Sequence, residues 1–165
     1  MIVFPEVFYK SSLKTPLGVV EVFIGEKGQV FKIKWSSSKK TLFSLKRLPQ
    51  AVAKTSKDLQ WQLEEYFKGT RKTLEVPYLL RGTGFQIKAW KALKKIPYGS
   101  VISYKTQAKW LGSEKKAIAV GQANKRNPLP LLFPCHRVVG SKGLGGYHGG
   151  LWRKKYLLNL EKENS

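Results

Sequence analysis

Between residues 19 and 35 the chain alternates apolar and polar positions. The runs 19–24 (VVEVFI) and 30–35 (VFKIKW) are rich in β-branched and aromatic residues. Gly25-Glu26-Lys27-Gly28 separates them with turn-forming glycines, so the pattern predicts a β-hairpin. In the second run Phe31, Ile33 and Trp35 alternate with Lys32 and Lys34, which gives the strand one apolar and one wet face. Residues 36–40 read as a polar loop. Ser56 is placed to cap a helix on which Leu59, Leu63, Tyr66 and Phe67 recur at helical spacing, and Gly69 is placed to stop it. Residues 74–79 read as a further strand interrupted by Pro77. The pattern is that of a small α/β domain over residues 1–80, with nothing chemical in it, and scaffolding is its expected role.

The pattern changes at Arg81-Gly82-Thr83-Gly84, a boundary. Beyond it Phe85, Ala89, Leu93 and Ile96 mark a helix that ends at Pro97-Tyr98-Gly99. Ser103 opens a second short helix through Trp110, Leu111-Gly112 makes a turn, and Ser113 caps a third helix to about Asn124. Two short helices joined by a glycine-containing turn have the outline of a helix-turn-helix. The third helix carries Lys115 and Lys116 in its first turn, then Ala117, Ala119, Gly121 and Ala123. Such small side chains permit close backbone approach, to a neighbouring helix or to another surface. A last helix, 152–161, offers Leu157, Leu158 and Leu160 to a core, and Glu161 reads locally as a solvated charge. The whole chain is expected to be α+β, with a mostly helical C-terminal domain over residues 81–165.

Charge sharpens that division. The 165 residues carry 31 Lys+Arg against 10 Asp+Glu, a formal net charge of +21. Residues 1–80 hold 14 basic and 7 acidic residues, and residues 81–165 hold 17 and 3. A polyanion is therefore drawn to the second half, through phosphate contacts that release counterions. Ribosomal, membrane-surface and heat-adapted proteins share such composition, so charge by itself only favours nucleic acid. No apolar run reaches the roughly 20 residues of a membrane span, and the first ten residues lack a signal-peptide pattern. A soluble, cytoplasmic protein without membrane partners is expected. The single cysteine permits no internal disulfide and agrees with a reducing compartment.

That cysteine lies in the most informative segment. In Asn127-Pro128-Leu129-Pro130-Leu131-Leu132-Phe133-Pro134-Cys135-His136-Arg137-Val138-Val139, three prolines fix the path and the apolar residues bury it. A lone cysteine is usually a small buried hydrophobe. Here it stands beside a histidine and an arginine, and neighbouring cations lower a thiol's pKa toward the reactive thiolate. Downstream, residues 143–150 (GLGGYHGG) contain five glycines, which allow tight turns and close approach to a flat ligand that Tyr147 can pack on. A flexible surface loop has the same composition.

Pro134-Cys135-His136-Arg137-Val138, with Asn127-Pro128 before it and the glycine-tyrosine-glycine loop after it, closely resembles the O6-alkylguanine-DNA alkyltransferases. The likeness extends over about residues 85–161, including Val101-Ile102-Ser103-Tyr104 and Ala119-Val120-Gly121. It implies a ribonuclease-H-like N-terminal domain and a winged helix-turn-helix in the C-terminal one. It also implies irreversible, single-turnover transfer of an alkyl group from guanine O6 to Cys135, without a cofactor. The expected partner is double-stranded DNA containing O6-alkylguanine, bound by a monomer, with association on DNA left open.

By the same resemblance His136 would be the base, acting through a water, and Glu161 would polarise it. Asn127 would be the hinge between recognition helix and cysteine loop. Tyr104 would press on the backbone phosphate and help rotate the nucleotide out, since a stacked base is out of reach of a pocket thiolate. Ala117, Ala119 and Gly121 would lie close in the minor groove. Val138, Gly145, Tyr147 and His148 would line the guanine pocket, with Lys154 near it. Two positions depart from the family pattern. Ile118 stands where an arginine usually fills the hole left by the flipped base, and His148 stands where serine is common. Some relatives hold zinc in the N-terminal domain, but no cysteine or histidine precedes Cys135 here, so no metal site is expected. Two competitors remain: a non-enzymatic reader of alkylated guanine, which the presence of Cys135 argues against and Ile118 keeps open, and a cysteine hydrolase, which leaves the charge and the helix-turn-helix unexplained.

Overall fold

The computed structural model describes residues 7–37 and 48–165. The first six residues, and residues 38–40 of the expected polar loop, lie outside the described residues. The chain divides into two compact units, Met1–Arg81 and Gly82–Ser165.

In the first unit β1 (Phe8–Thr15), β2 (Gly18–Gly25) and β3 (Val30–Trp35) form an antiparallel sheet in that order. The expected hairpin is β2–β3; β1 is an additional strand. On β2, Val20, Val22 and Ile24 are buried and alternate with partly exposed residues, so every second side chain enters the core. Phe31 corrects the expected alternation. A register irregularity between Phe23 and Ile24 makes Lys32 the partner of Phe23 and Val30 the partner of Ile24. The extra residue turns Phe31 to the face that carries Phe23, where it stays buried and its ring meets Phe8 and Phe23 at centroid distances of 5.7 and 6.2 Å.

Helix α1 (Gln50–Phe67) packs on β1 and β2 through Val52, Leu59 and Leu63. Each such side chain stabilises by roughly 1.5–3 kcal/mol on full burial. Ser56 is not its cap: the helix begins about two turns earlier, after Pro49, and the Ser56 hydroxyl meets that of Ser11 at 2.6 Å. The stop is as expected, with Gly69 at φ 78°. Residues 74–79 form no strand of their own. They make one bridge, Val30 to Tyr78, because Pro77 has no N–H to give a ladder. Gln62 instead fixes this segment, donating to the Glu75 carbonyl at 2.7 Å and accepting from the Glu75 amide at 2.6 Å.

In the second unit α2 (Gly84–Leu93) opens with a capping box, Thr83 and Gln86 each bonding the other's backbone amide. It ends at Leu93, short of the expected Pro97, and Ile96 is buried in the turns beyond. Next come β4 (Ile102–Ser103), α3 (Tyr104–Trp110), a 3₁₀ turn (Glu114–Lys116) and α4 (Ala117–Lys125). Ser103 caps α3 and Ser113 caps the 3₁₀ turn that leads into α4. The Trp90 indole donates to the Ala123 carbonyl at 2.8 Å, and Gln107 and Asn124 bond each other's amides, so α2, α3 and α4 are locked by buried polar contacts. A second 3₁₀ turn (Cys135–Arg137) leads into β5 (Val138–Val139), which pairs in parallel with β4. Helix α5 (Leu151–Glu163) closes the unit. Of its expected core residues Leu157 is fully buried, and Leu158 and Leu160 are half-buried. Lys154 and Glu161 are fully buried on the same helix.

Candidate active site around Cys135

Cys135 opens its 3₁₀ turn at the end of a loop that Asn127 holds. The Asn127 Nδ2 donates to the Phe133 carbonyl at 2.7 Å, and its Oδ1 accepts from the Leu129 amide at 3.0 Å. The same side chain hydrogen-bonds Cys135, and its backbone amide donates to the Asn124 carbonyl at the end of α4. One residue therefore ties α4 to the cysteine loop. Within the loop Leu131 has φ 75°, the left-handed region. Such a conformation costs about 1–3 kcal/mol for a non-glycine residue and persists where its surroundings over-determine it. Here they are the buried side chains of Leu129, Leu132 and Phe133.

The two residues after Cys135 turn to Glu161. Arg137 grips its carboxylate with a fork, Nε to Oε2 at 2.8 Å and Nη2 to Oε1 at 2.9 Å. The remaining Nη1 donates to the Ile96 carbonyl at 2.9 Å. His136 Nε2 lies 2.7 Å from Oε1, and the Gly99 amide donates to Oε2 at 3.3 Å. Burial would raise the Glu161 carboxyl, but the hydrogen bond of His136 and the fork of Arg137 hold it at about 2. The carboxylate is thus ionised and can only accept, so His136 Nε2 must carry a hydrogen. Burial, with Arg137 and Lys154 adding to it, pushes His136 below its ordinary value against the pull of Glu161. The ring is neutral, and its lone pair sits on Nδ1, a buried atom with no hydrogen-bond partner among the described residues.

This arrangement corrects the expectation that His136 and Arg137 charge the thiol. The cation that acts on Cys135 is Lys154. Its Nζ donates to the Val138 carbonyl at 2.6 Å and the Gly146 carbonyl at 3.0 Å, and burial lowers it to about 8, with Cys135 pulling the other way. Cys135 itself is raised: burial outweighs the opposing hydrogen bond of Asn127 and charge of Lys154. At rest Cys135 is a protonated thiol.

A cavity of about 430 Å³ opens onto Cys135. Tyr104 and Gly121 form one side, and Gly146, Tyr147 and His148 another. Asn124 and Lys125 complete the lining and were not among the expected site residues. Their spacing from Gly121, three and four residues along one helix, is the signal that places all three on one face. The Tyr104 phenol accepts from the Gly146 amide, and its ring lies so close to Gly145 (φ 71°) that a Cβ there would stand 2.8 Å from it. Only glycine fits at that contact.

The remaining expected residues fall outside the cavity lining. Val138 is fully buried and contributes its carbonyl to Lys154. Ala117 is half-buried and Ala119 exposed on α4, and Ile118 between them is 82% exposed. Among the described residues no group of histidine, cysteine and acidic side chains could hold a metal, and no helix is long and apolar enough to cross a membrane.

Residues 84–163, which carry this cavity and helices α2 to α5, match the family described as the DNA binding domain of 6-O-methylguanine DNA methyltransferase. The constitutive methylated-DNA–protein-cysteine methyltransferase of Bacillus subtilis is 40% identical over 163 residues, which is 93% of this chain and 95% of the relative. The Methanosarcina acetivorans enzyme of the same name is 50% identical over 101 residues, 61% of this chain and 65% of that one. Among solved structures, the O6-methylguanine methyltransferase of Mycobacterium tuberculosis superposes with a TM-score of 0.81 at 33% identity, covering 96% of this chain and 95% of its own. A complex of that organism's OGT with DNA gives 0.80 at 35% identity and 94% coverage of both. The chain belongs to the methylated-DNA–protein-cysteine methyltransferase family.

Proposed function

We propose that this protein repairs alkylated DNA by direct reversal, in one irreversible transfer from guanine O6 to Cys135. The observation that carries the reading is a base-sized cavity ending on a buried thiol, beside a neutral histidine whose free nitrogen is Nδ1. In the transfer the thiol proton leaves through a water to His136 Nδ1. The sulfur forms a bond to the alkyl carbon as the carbon–O6 bond breaks, and the departing guanine takes up a proton. Glu161 holds the imidazolium that forms, Lys154 stabilises the thiolate, and Asn127 positions it. No cofactor enters this scheme.

The substrate must leave the duplex first, at a cost of a few kcal/mol. We assign Tyr104 to rotating the nucleotide at its phosphate, and Tyr147, His148 and the backbone at Gly145 to holding the flipped base. Ala117, Ala119 and Gly121 let α4 lie close in the minor groove. Ile118 is the wedge that enters the vacated stack, as apolar side chains do in other kinking proteins, and its exposure supports that role. We read α3 and α4 with the β4–β5 pair as a winged helix-turn-helix. The N-terminal unit is in our reading a ribonuclease-H-like scaffold, residues 1–80, joined to the working domain, residues 81–165. The protein acts as a cytoplasmic monomer.

Intact-protein mass tests the reaction. After incubation with an O6-methylguanine oligonucleotide, each molecule gains the mass of one methylene on Cys135, and Cys135→Ala gains nothing. Release of product over many turnovers, with no gain in mass, would instead indicate a hydrolase.

A further inference from the structure

A second cleft lies in the C-terminal unit, away from Cys135. It has a volume of about 640 Å³, and its lining includes Lys88, Lys91, Lys95 and Lys116 together with Phe85 and Trp110. The four lysines are exposed. None makes an ion pair among the described residues, where the C-terminal unit's pairs all converge on Glu161. Lys116 is turned back by a bond from its Nζ to the Leu111 carbonyl at 3.3 Å, which leaves its charge at the cleft. Trp110 is 42% exposed although it ends a helix of a packed domain. Four unneutralised cations and two aromatic rings lining one cleft, on a protein with three acidic residues in its second half, form a site for a polyanion with flat or apolar parts.

The position of the cleft says which polyanion. Helix α4 starts directly after Lys116, at the cleft, and ends with Asn124 and Lys125, at the Cys135 cavity. Its nine residues, Ala117–Lys125, rise about 12 Å from first to last. At 3.4 Å of duplex axis per nucleotide of one strand, that is about three to four nucleotides. Lys88 and Lys91 stand about one turn apart on α2 and Lys95 follows two residues past its end, and all three line the one cleft, so they can meet up to about three phosphates at one each. We propose that this cleft is a second DNA-binding site, which grips one strand's sugar–phosphate backbone about three to six nucleotides from the nucleotide that enters the Cys135 cavity. The proposal rests on the reading of α4 as the helix that lies in the minor groove.

The test compares salt dependence and position. Binding of a duplex carrying O6-methylguanine is measured in a Cys135→Ala background, with and without Lys88→Gln, Lys91→Gln and Lys95→Gln together. All three are surface lysines, so the fold is kept. The slope of log K against log salt falls in magnitude by about 2–3 in the triple variant, near 0.9 for each phosphate no longer neutralised. Neutral methylphosphonate linkages about three to six nucleotides from the lesion weaken the parent protein and leave the triple variant's affinity unchanged. An equal slope in both proteins, or equal weakening of both by the neutral linkages, overturns the proposal. Labelling by free O6-benzylguanine, done with Cys135 present, is unchanged by the three substitutions, since that ligand has no phosphate. If the unsubstituted protein takes no label, the alkyl-transfer reading fails, while the slope still decides whether the cleft holds phosphates.

Discussion

The two units treat charge in opposite ways. In the N-terminal unit three of the described acids lie apart from one another and are answered locally. Glu21 meets Lys10 and Lys34, Lys54 meets Asp58 four residues on, and Arg71 meets Glu65. In the C-terminal unit the one acid in an ion pair among the described residues, Glu161, is buried and gathers His136 and Arg137, while Lys88, Lys91, Lys95 and Lys116 stay unpaired there. Exposed pairs are worth about 0–1 kcal/mol each, whereas removing one partner of a buried pair costs about 3–5 kcal/mol. The first unit therefore uses charge to remain dispersed in water, and the second reserves it for an internal knot and an external partner.

Glu161→Gln tests this contrast most severely. It keeps the shape and leaves the Arg137 guanidinium buried without a counter-charge, so the C-terminal unit should lose about 3 kcal/mol or more in denaturant unfolding. The molecules that remain folded should also show a raised apparent pKa of Cys135 alkylation, because His136 loses the carboxylate that supports its charged form. A pH profile unchanged from wild type would remove the relay from the mechanism.

Acid provides the same test without mutation. Glu161 titrates near 2 in the folded chain against an ordinary value of 4.5. The folded carboxyl is the stronger acid, so its stabilisation is full above the unfolded value and is lost as pH falls from about 4.5 toward 2. Urea midpoints followed in each unit should fall more steeply in the C-terminal one over that range. Parallel decline would mean that the surface acids matter as much as the buried one.

Ile118→Arg comes next. Restoring a cation at the tip of α4 should speed repair of duplex DNA several-fold, by roughly 1 kcal/mol of added attraction, with little change in reaction with free O6-benzylguanine. Absence of any gain on duplex would show that the isoleucine already serves fully. The smallest effect belongs to Lys54→Ala, which should shift stability by less than about 0.5 kcal/mol. A larger shift by thermal or urea unfolding would contradict the view of the first unit's pairs as dispensable.

The same contrast decides what can be read from sequence. Alternation on β2 and helical spacing on α1 are legible because burial there follows a local period. Strand β1 is not, since FYKSSLKT buries only Leu13 and has no apolar face of its own. The start of α1 is hidden because Pro49 begins it with no side-chain cap, while Ser56, a good cap by type, bonds to a neighbouring strand. At the site, Cys135 and its neighbours are visible as a motif, but their directions are not. His136 and Arg137 reach a glutamate 25 and 24 residues away. Local reading makes Glu161 a solvated charge, and only the resemblance supplies its partner. The role of Lys154 beside the thiol arises likewise from packing of α5, which no local period encodes.

The raised pKa of Cys135 has a consequence for the protein's lifetime. A molecule consumed by a single reaction is useful only while its sulfur is intact, so repair capacity equals the number of undamaged thiols in store. Oxidants and stray electrophiles attack exposed thiolates first. A neutral sulfur, hydrogen-bonded by Asn127 and almost buried at the end of its cavity, ages slowly between lesions.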